Sequence, residues 1–176
     1  MKVLLNVLLE RLEKNVNRQI LVDEAIRLDD LCEGIIISFG GNLIPCYDIE
    51  CDNKQYGYEE LEKKYLNDFK LKKNKNIKLL YNLNKYYIFN INIDNIYASD
   101  TFDYFEVQSG CGEISDQISS FELKDIYEFP DDYLKKSQKE LKYRNFDYLT
   151  NREIVSRYLE EKKLEINHNI IYLMCH

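Results

Sequence analysis

Apolar residues recur at helical spacing from the start of the chain. Val3, Leu4, Val7, Leu8, Leu12 and Val16 fall on one stripe, which predicts an amphipathic helix over residues 3–17. Residues 22–32 continue it or form a second helix that ends near Gly34. The run GIIISFGGNLIPCYDIE then reads as two strands, 35–39 and 43–50, joined by Gly40, Gly41 and Asn42. Pro45 has no N–H to give to a ladder, so the second of these strands is expected at a sheet edge. Leu61, Tyr65, Leu66 and Phe69 share one face of a helix predicted from 58 to 70.

Further along, IKLLYNL and YYIFNINI flank Asn84 and Lys85, the pattern of a tight hairpin, because Asn tolerates positive φ. TFDYFEVQ and SFELKDIYEF read as two more strands, separated by a turn at SGCGE. Asp131 and Asp132 follow Pro130 and open a helix over 131–144. Thr150 with Glu153 forms a capping box for a helix over 151–163, and EINHNIIYLMCH closes the chain as a strand.

The sum is a single α+β domain spanning 1–176. It has an antiparallel-rich sheet of about six or seven strands, an N-terminal amphipathic helix and two C-terminal helices. Strands and helices do not alternate regularly, which argues against a doubly wound nucleotide-binding fold.

Composition narrows the setting. With 45% apolar and 31% charged residues in 176, the chain is globular in character and long enough to bury a core without metal or disulfide. The apolar run Val3–Leu9 is interrupted by Asn6 and closed by Glu10, too short for a signal-peptide core. No window approaches the roughly 18 apolar residues of a membrane span. Five cysteines (Cys32, Cys46, Cys51, Cys111 and Cys175) are odd in number and irregular in spacing, so reduced thiols and a cytoplasmic location are expected.

Cys111, between two glycines, raises the question of a nucleophilic thiol. Such a thiol needs a base or a positive neighbour to lower its pKa from about 8.5. The only histidines are His168, on an apolar strand face, and His176, the last residue, while the charges nearest in sequence are Glu106, Glu113 and Asp116. The glycines read better as turn residues. Cys46 and Cys51 lack zinc spacing, DIECDN lacks a calcium-loop register, and no phosphate-binding glycine motif occurs, so no metal or cofactor is expected. Paired carboxylates (Asp29-Asp30, Glu59-Glu60, Asp131-Asp132, Glu160-Glu161) fall in predicted helices or their first turns, where they serve solvation and the helix dipole.

Charge is distributed in blocks. Residues 70–85 carry six lysines and no acid, residues 94–132 carry eleven acids against Lys124 alone, and residues 135–163 carry nine bases against five acids. The lysine block suits the end of a helix running into a solvated loop better than nucleic-acid binding, given a net charge of −7. The acidic block interleaves carboxylates with rings: Asp94, Tyr97, Asp100, Phe102, Asp103, Tyr104, Glu106, Glu113, Asp116, Glu122 and Glu128. Rings supply anchor area and carboxylates supply steering, which suits recognition of a basic protein surface.

In size, acidity and lack of catalytic motifs, together with this block from Asp94 to Glu128, the chain resembles the immunity proteins of bacterial polymorphic toxins. That resemblance implies a tight complex with a cognate toxin domain, such as a nuclease, whose active site or a neighbouring surface is covered. Two other classes stand beside it. One is an enzyme using Cys111 or a carboxylate pair. The other is an assembly subunit that pairs through Leu4, Leu5, Leu8, Leu9 and Leu12 of the N-terminal helix.

Overall fold

In the computed structural model, residues 1–42, 47–98, 104–116 and 118–129 are described. The first surprise lies at the N-terminus. Lys2–Leu9 is a strand, β1, and Asn17–Asp23 is a second, β2, paired antiparallel from Lys2 opposite Asp23 to Leu8 opposite Asn17. The expected helix over 3–17 is therefore corrected to a β-hairpin, and the first helix begins at Leu28.

The same leucines satisfy both periods, and the sheet selects period two. Val3, Leu5, Val7 and Leu9 are fully buried, while Leu4, Asn6 and Leu8 look the other way. Leu12 and Val16 are also buried, but in the connection between the strands, where Leu9 N–H donates to the Val16 carbonyl at 3.1 Å. An assembly surface built on an N-terminal helix loses its element.

Helix α1 spans Leu28–Ser38, so GIII lies in the helix rather than in a strand. The helix is buried almost all round and presses close to the sheet at Gly34: a Cβ there would stand 2.6 Å from the ring of Phe105. Tyr47–Cys51 forms β3, and Asp52 and Asn53, both at positive φ, turn the chain into the short β4, Lys54–Tyr56. Two consecutive left-handed residues are the signature of a type I′ hairpin. β3 is paired on both sides, so β4 forms the edge, and Pro45 lies outside the described residues.

The helix expected over 58–70 breaks into α2, Tyr58–Leu61, and a 3₁₀ turn, Leu66–Phe69. Between them the chain straightens to pair with residues 26–28: Leu28 N–H donates to Lys64 O at 2.9 Å, and Leu66 N–H to Ile26 O at 3.0 Å. Those tertiary hydrogen bonds outcompete one more helical turn.

β5, Asn76–Tyr81, and β6, Tyr87–Tyr97, form the expected hairpin, with Tyr81 opposite Tyr87. Its connection runs over residues 82–86 rather than closing tightly on Asn84 and Lys85, with Asn82 and Tyr86 at positive φ. β7 is Phe105–Cys111, so Cys111 ends a strand and the turn begins at Gly112, where φ is 68°.

SFELKDIYEF is corrected from strand to helix α3, Ser120–Glu128. Ser119 caps it, its Oγ accepting from Glu122 N–H at 3.2 Å, and Leu123 and Ile126 turn inward at helical spacing.

The seven strands of the described residues join one sheet in the order β4-β3-β5-β6-β1-β2-β7, every neighbour antiparallel. The fold is thus α+β, as the sequence predicts. The helices expected over 131–144 and 151–163, the closing strand, Cys46, Cys175, His168 and His176 lie outside the described residues. No helix of the described chain is long and apolar enough to cross a membrane.

Candidate functional site

The paired strands alternate, apart from bulges in β6 between Ile93 and Asn95 and in β7 between Val107 and Ser109. One face of the sheet holds the buried core, which includes Val3, Leu5, Ile20, Val22, Ile49, Leu79, Phe89, Ile91 and Phe105. α1 meets that face: its Gly34 lies against Phe105, and its Glu33 accepts from Tyr47 OH at 2.8 Å. The opposite face carries the alternate positions of the same strands, half-exposed among the described residues.

Register fixes the rows of this outer face. Glu106, Leu21, Leu4 and Asn95 lie side by side on β7, β2, β1 and β6. A bulge in β6 at this level brings Asp94 beside Asn95. Gln19, Asn6, Asn92 and Asn76 make the next row, an amide ladder in which Asn76 Nδ2 donates to Asn92 Oδ1 at 2.8 Å. Asn17, Leu8, Asn90, Lys78 and Glu50 follow. Over the whole face the half-exposed acids are Asp23, Asp48, Glu50, Asp94 and Glu106, against Lys2 and Lys78.

The acidic block from Asp94 to Glu128 does not share one surface. Asp94 and Glu106 lie on the outer face, three strands and therefore about 14 Å apart, and Tyr97 is exposed at the end of β6. Tyr104 turns inward. Its hydroxyl accepts from Arg27 N–H at 2.8 Å and donates to Asp30 at 3.2 Å, and burial pushes its pKa well above the ordinary tyrosine value.

Asp116 is half-exposed and engaged within the fold, accepting from Asn42 N–H and from Tyr81 OH, both at 2.5 Å. Glu113 packs near Gly40, its N–H donating to Tyr127 OH at 3.3 Å. Glu122 and Glu128 are exposed on α3, the latter 3.5 Å from Lys124. Asp100, Phe102 and Asp103 lie outside the described residues.

Cys111 sits in an environment that its sequence neighbours do not announce. Arg18, on β2, is 1% exposed and donates to the carbonyls of Ser38, Asn17, Cys111 and Gly112 at 2.6–2.9 Å. Burial pulls its pKa down to about 10, with Glu113 the largest opposing influence, so it remains a cation at neutral pH. Cys111 Sγ accepts from Asn17 Nδ2 at 3.2 Å.

The flanking glycines have structural reasons. A Cβ at Gly110 would strike the Asn17 carbonyl, and one at Gly112 the Asn15 carbonyl. Among the described residues no histidine stands by to act as a base for the thiol.

The signal that sequence reasoning missed is the alternation hidden in KVLLNVLL and NRQILVD. Leucine on both faces of β1 obscures period two, and with it the existence of an outer face.

No protein family and no curated protein sequence matches this chain. The fold is similar to the crystal structure of MM3350, a protein of unknown function from Methanosarcina mazei Go1. The match has a TM-score of 0.62 and 14% sequence identity, over 79% of this chain and 84% of that one.

Proposed function

We propose that this protein is a binding module that takes a basic protein surface on the outer face of its sheet, in the manner of an inhibitor or immunity protein. The observation that supports it is the outer face itself. It is a broad pleated surface on which carboxylates outnumber lysines five to two, interleaved with Leu4, Leu8, Leu21, Leu80 and Ile88. Apolar rows supply desolvated contact, and the carboxylates steer and select a cationic partner. Asp94 and Glu106 are the members of the acidic block that serve this face. Tyr104 and Asp116 instead hold the fold beneath it.

The test is recovery of the tagged chain from its native cells with washes at low and high salt, and then the same recovery with Asp94→Lys and Glu106→Lys. A single basic protein recovered in equal amount, released by salt and lost in the double variant, supports the reading. A partner retained in full by the double variant removes the outer face from the account.

A further inference from the structure

At the end of the sheet where β1, β5 and β7 finish, a second surface has a different chemistry. The turn between β5 and β6 exposes Leu83 and Tyr86, the latter 60% exposed, and α3 begins beside it with Phe121, 48% exposed. The two rings meet edge to face, with centroids 5.7 Å apart, and the guanidinium of Arg11 lies 4.2 Å from the centroid of Phe121.

These side chains come from three separate segments, held together by backbone hydrogen bonds. Ser120 N–H donates to Lys85 O at 2.8 Å, and Glu10 N–H to Ile88 O at 2.9 Å. Arg11 and Tyr86 are both left-handed, with φ of 72° and 58°, a conformation that bulky residues rarely adopt. Glu13 Oε1, two residues on, accepts from the backbone N–H of Arg11 at 3.0 Å, not from its side chain, and Glu10, next to Arg11, forms no ion pair with it. Among the described residues the guanidinium of Arg11 has a ring beneath it and no carboxylate partner.

We infer that Arg11, Tyr86 and Phe121 form a second docking site, for a peptide segment that carries an aromatic side chain next to a carboxylate. The ring of such a segment extends the edge-to-face pair, and its carboxylate takes the two-pronged hydrogen bonds that Arg11 offers while Phe121 holds the guanidinium flat. Tyr and Arg are the residue types that carry most binding energy in protein interfaces. A nucleic acid fits less well. The acids Glu10, Glu13 and Glu122, on two of these three segments, interrupt the cationic track that a phosphate backbone needs. This site is distinct from the outer face of the sheet, and its sign preference is opposite.

The experiment titrates the ¹⁵N-labelled full chain with a capped synthetic peptide holding a Phe-Asp-Phe core between Gly-Ser flanks, with its Phe-Asn-Phe counterpart, and with a short oligothymidylate. The expected result is saturable movement of amides at 10–12, 84–86 and 120–122 with the Asp peptide, with Kd on the order of 0.1–1 mM. The Asn peptide should bind roughly tenfold more weakly, because it cannot form the charged pair. Arg11→Ala and Phe121→Ala should each abolish the movement. Tyr86→Asn keeps a residue suited to the left-handed turn and should weaken it. The amide spectrum of each variant shows directly that it is folded. No saturable movement, movement unchanged in Arg11→Ala, equal binding of both peptides, or stronger binding of the oligonucleotide at the same amides would each overturn the inference.

Discussion

The guanidinium of Arg18 lies 4.3 Å from the ring centroid of Phe39, on the inner face of the sheet, while its Nε donates to the carbonyl of Ser38 at 2.9 Å. One buried cation thereby joins β2, the end of α1 and the turn at Gly112. Replacing it with Met keeps volume but leaves those carbonyls without a donor. Arg18→Met should cost about 3 kcal/mol of unfolding free energy, and Arg18→Lys nearly as much, since an ammonium cannot span the same set of acceptors. Urea denaturation followed by circular dichroism measures both. A loss under about 1 kcal/mol for either would show that the network is dispensable.

Gly34 tests how closely α1 approaches the sheet. A side chain there meets the Phe105 ring at 2.6 Å, so Gly34→Val should destabilise by about 2–3 kcal/mol, despite the better intrinsic helix propensity of Val. Combining it with Phe105→Leu should return part of that loss. The double-mutant cycle would show no coupling if the helix simply shifts outward.

Alkaline pH should weaken the fold. Burial raises the pKa of Tyr47, Tyr87 and Tyr104 above the ordinary tyrosine value, with the charge of Glu33 adding to the effect at Tyr47 and that of Asp30 at Tyr104. A folded state that holds its phenolic protons more tightly than the unfolded chain keeps its full stability below the unfolded pKa. That stability is then lost as pH rises from about 10 towards the folded values. Urea midpoints at pH 8, 10 and 11 should fall in that order. Tyr104→Phe should flatten the slope. A urea midpoint that does not fall between pH 8 and 11, or a fall equally steep in Tyr104→Phe, would contradict the assignment.

The cap of α3 is open to a simpler test. Ser119→Ala removes the acceptor for Glu122 N–H and should cost about 1 kcal/mol, while Ser119→Asp should restore it. The measurement is thermal unfolding of the three chains. Equal Tm values would mean that the cap does not help to hold α3.

Asp94→Lys with Glu106→Lys should leave unfolding free energy within about 0.5 kcal/mol of the parent, because both side chains are half-exposed on an outer sheet face. The same pair should slow association with a basic partner more than tenfold at low salt, with the difference shrinking as salt rises. Stopped-flow association rates at two ionic strengths read this out.

The elements legible from sequence are those whose pattern admits one period. YYIFNINI alternates cleanly and is β6, IKLLY is β5, and the antiparallel α+β class follows from such runs. KVLLNVLL is different. Leucine at consecutive positions satisfies helix and strand alike, and only the partners β2 and β6 on either side of β1 decide in favour of the strand. GIII and SFELKDIY suffered the reverse ambiguity: both look like strands in isolation, yet α1 and α3 form because their buried residues must meet the sheet from outside it.

Composition, charge blocks and the absence of motif chemistry belong to the sequence itself. Tertiary structure alone tied Tyr104 to Asp30 and Asp116 to Tyr81, put Arg18 beside Cys111 and brought Arg11 over Phe121. Side chains far apart in the chain meet only when backbone pairing fixes which face each one occupies.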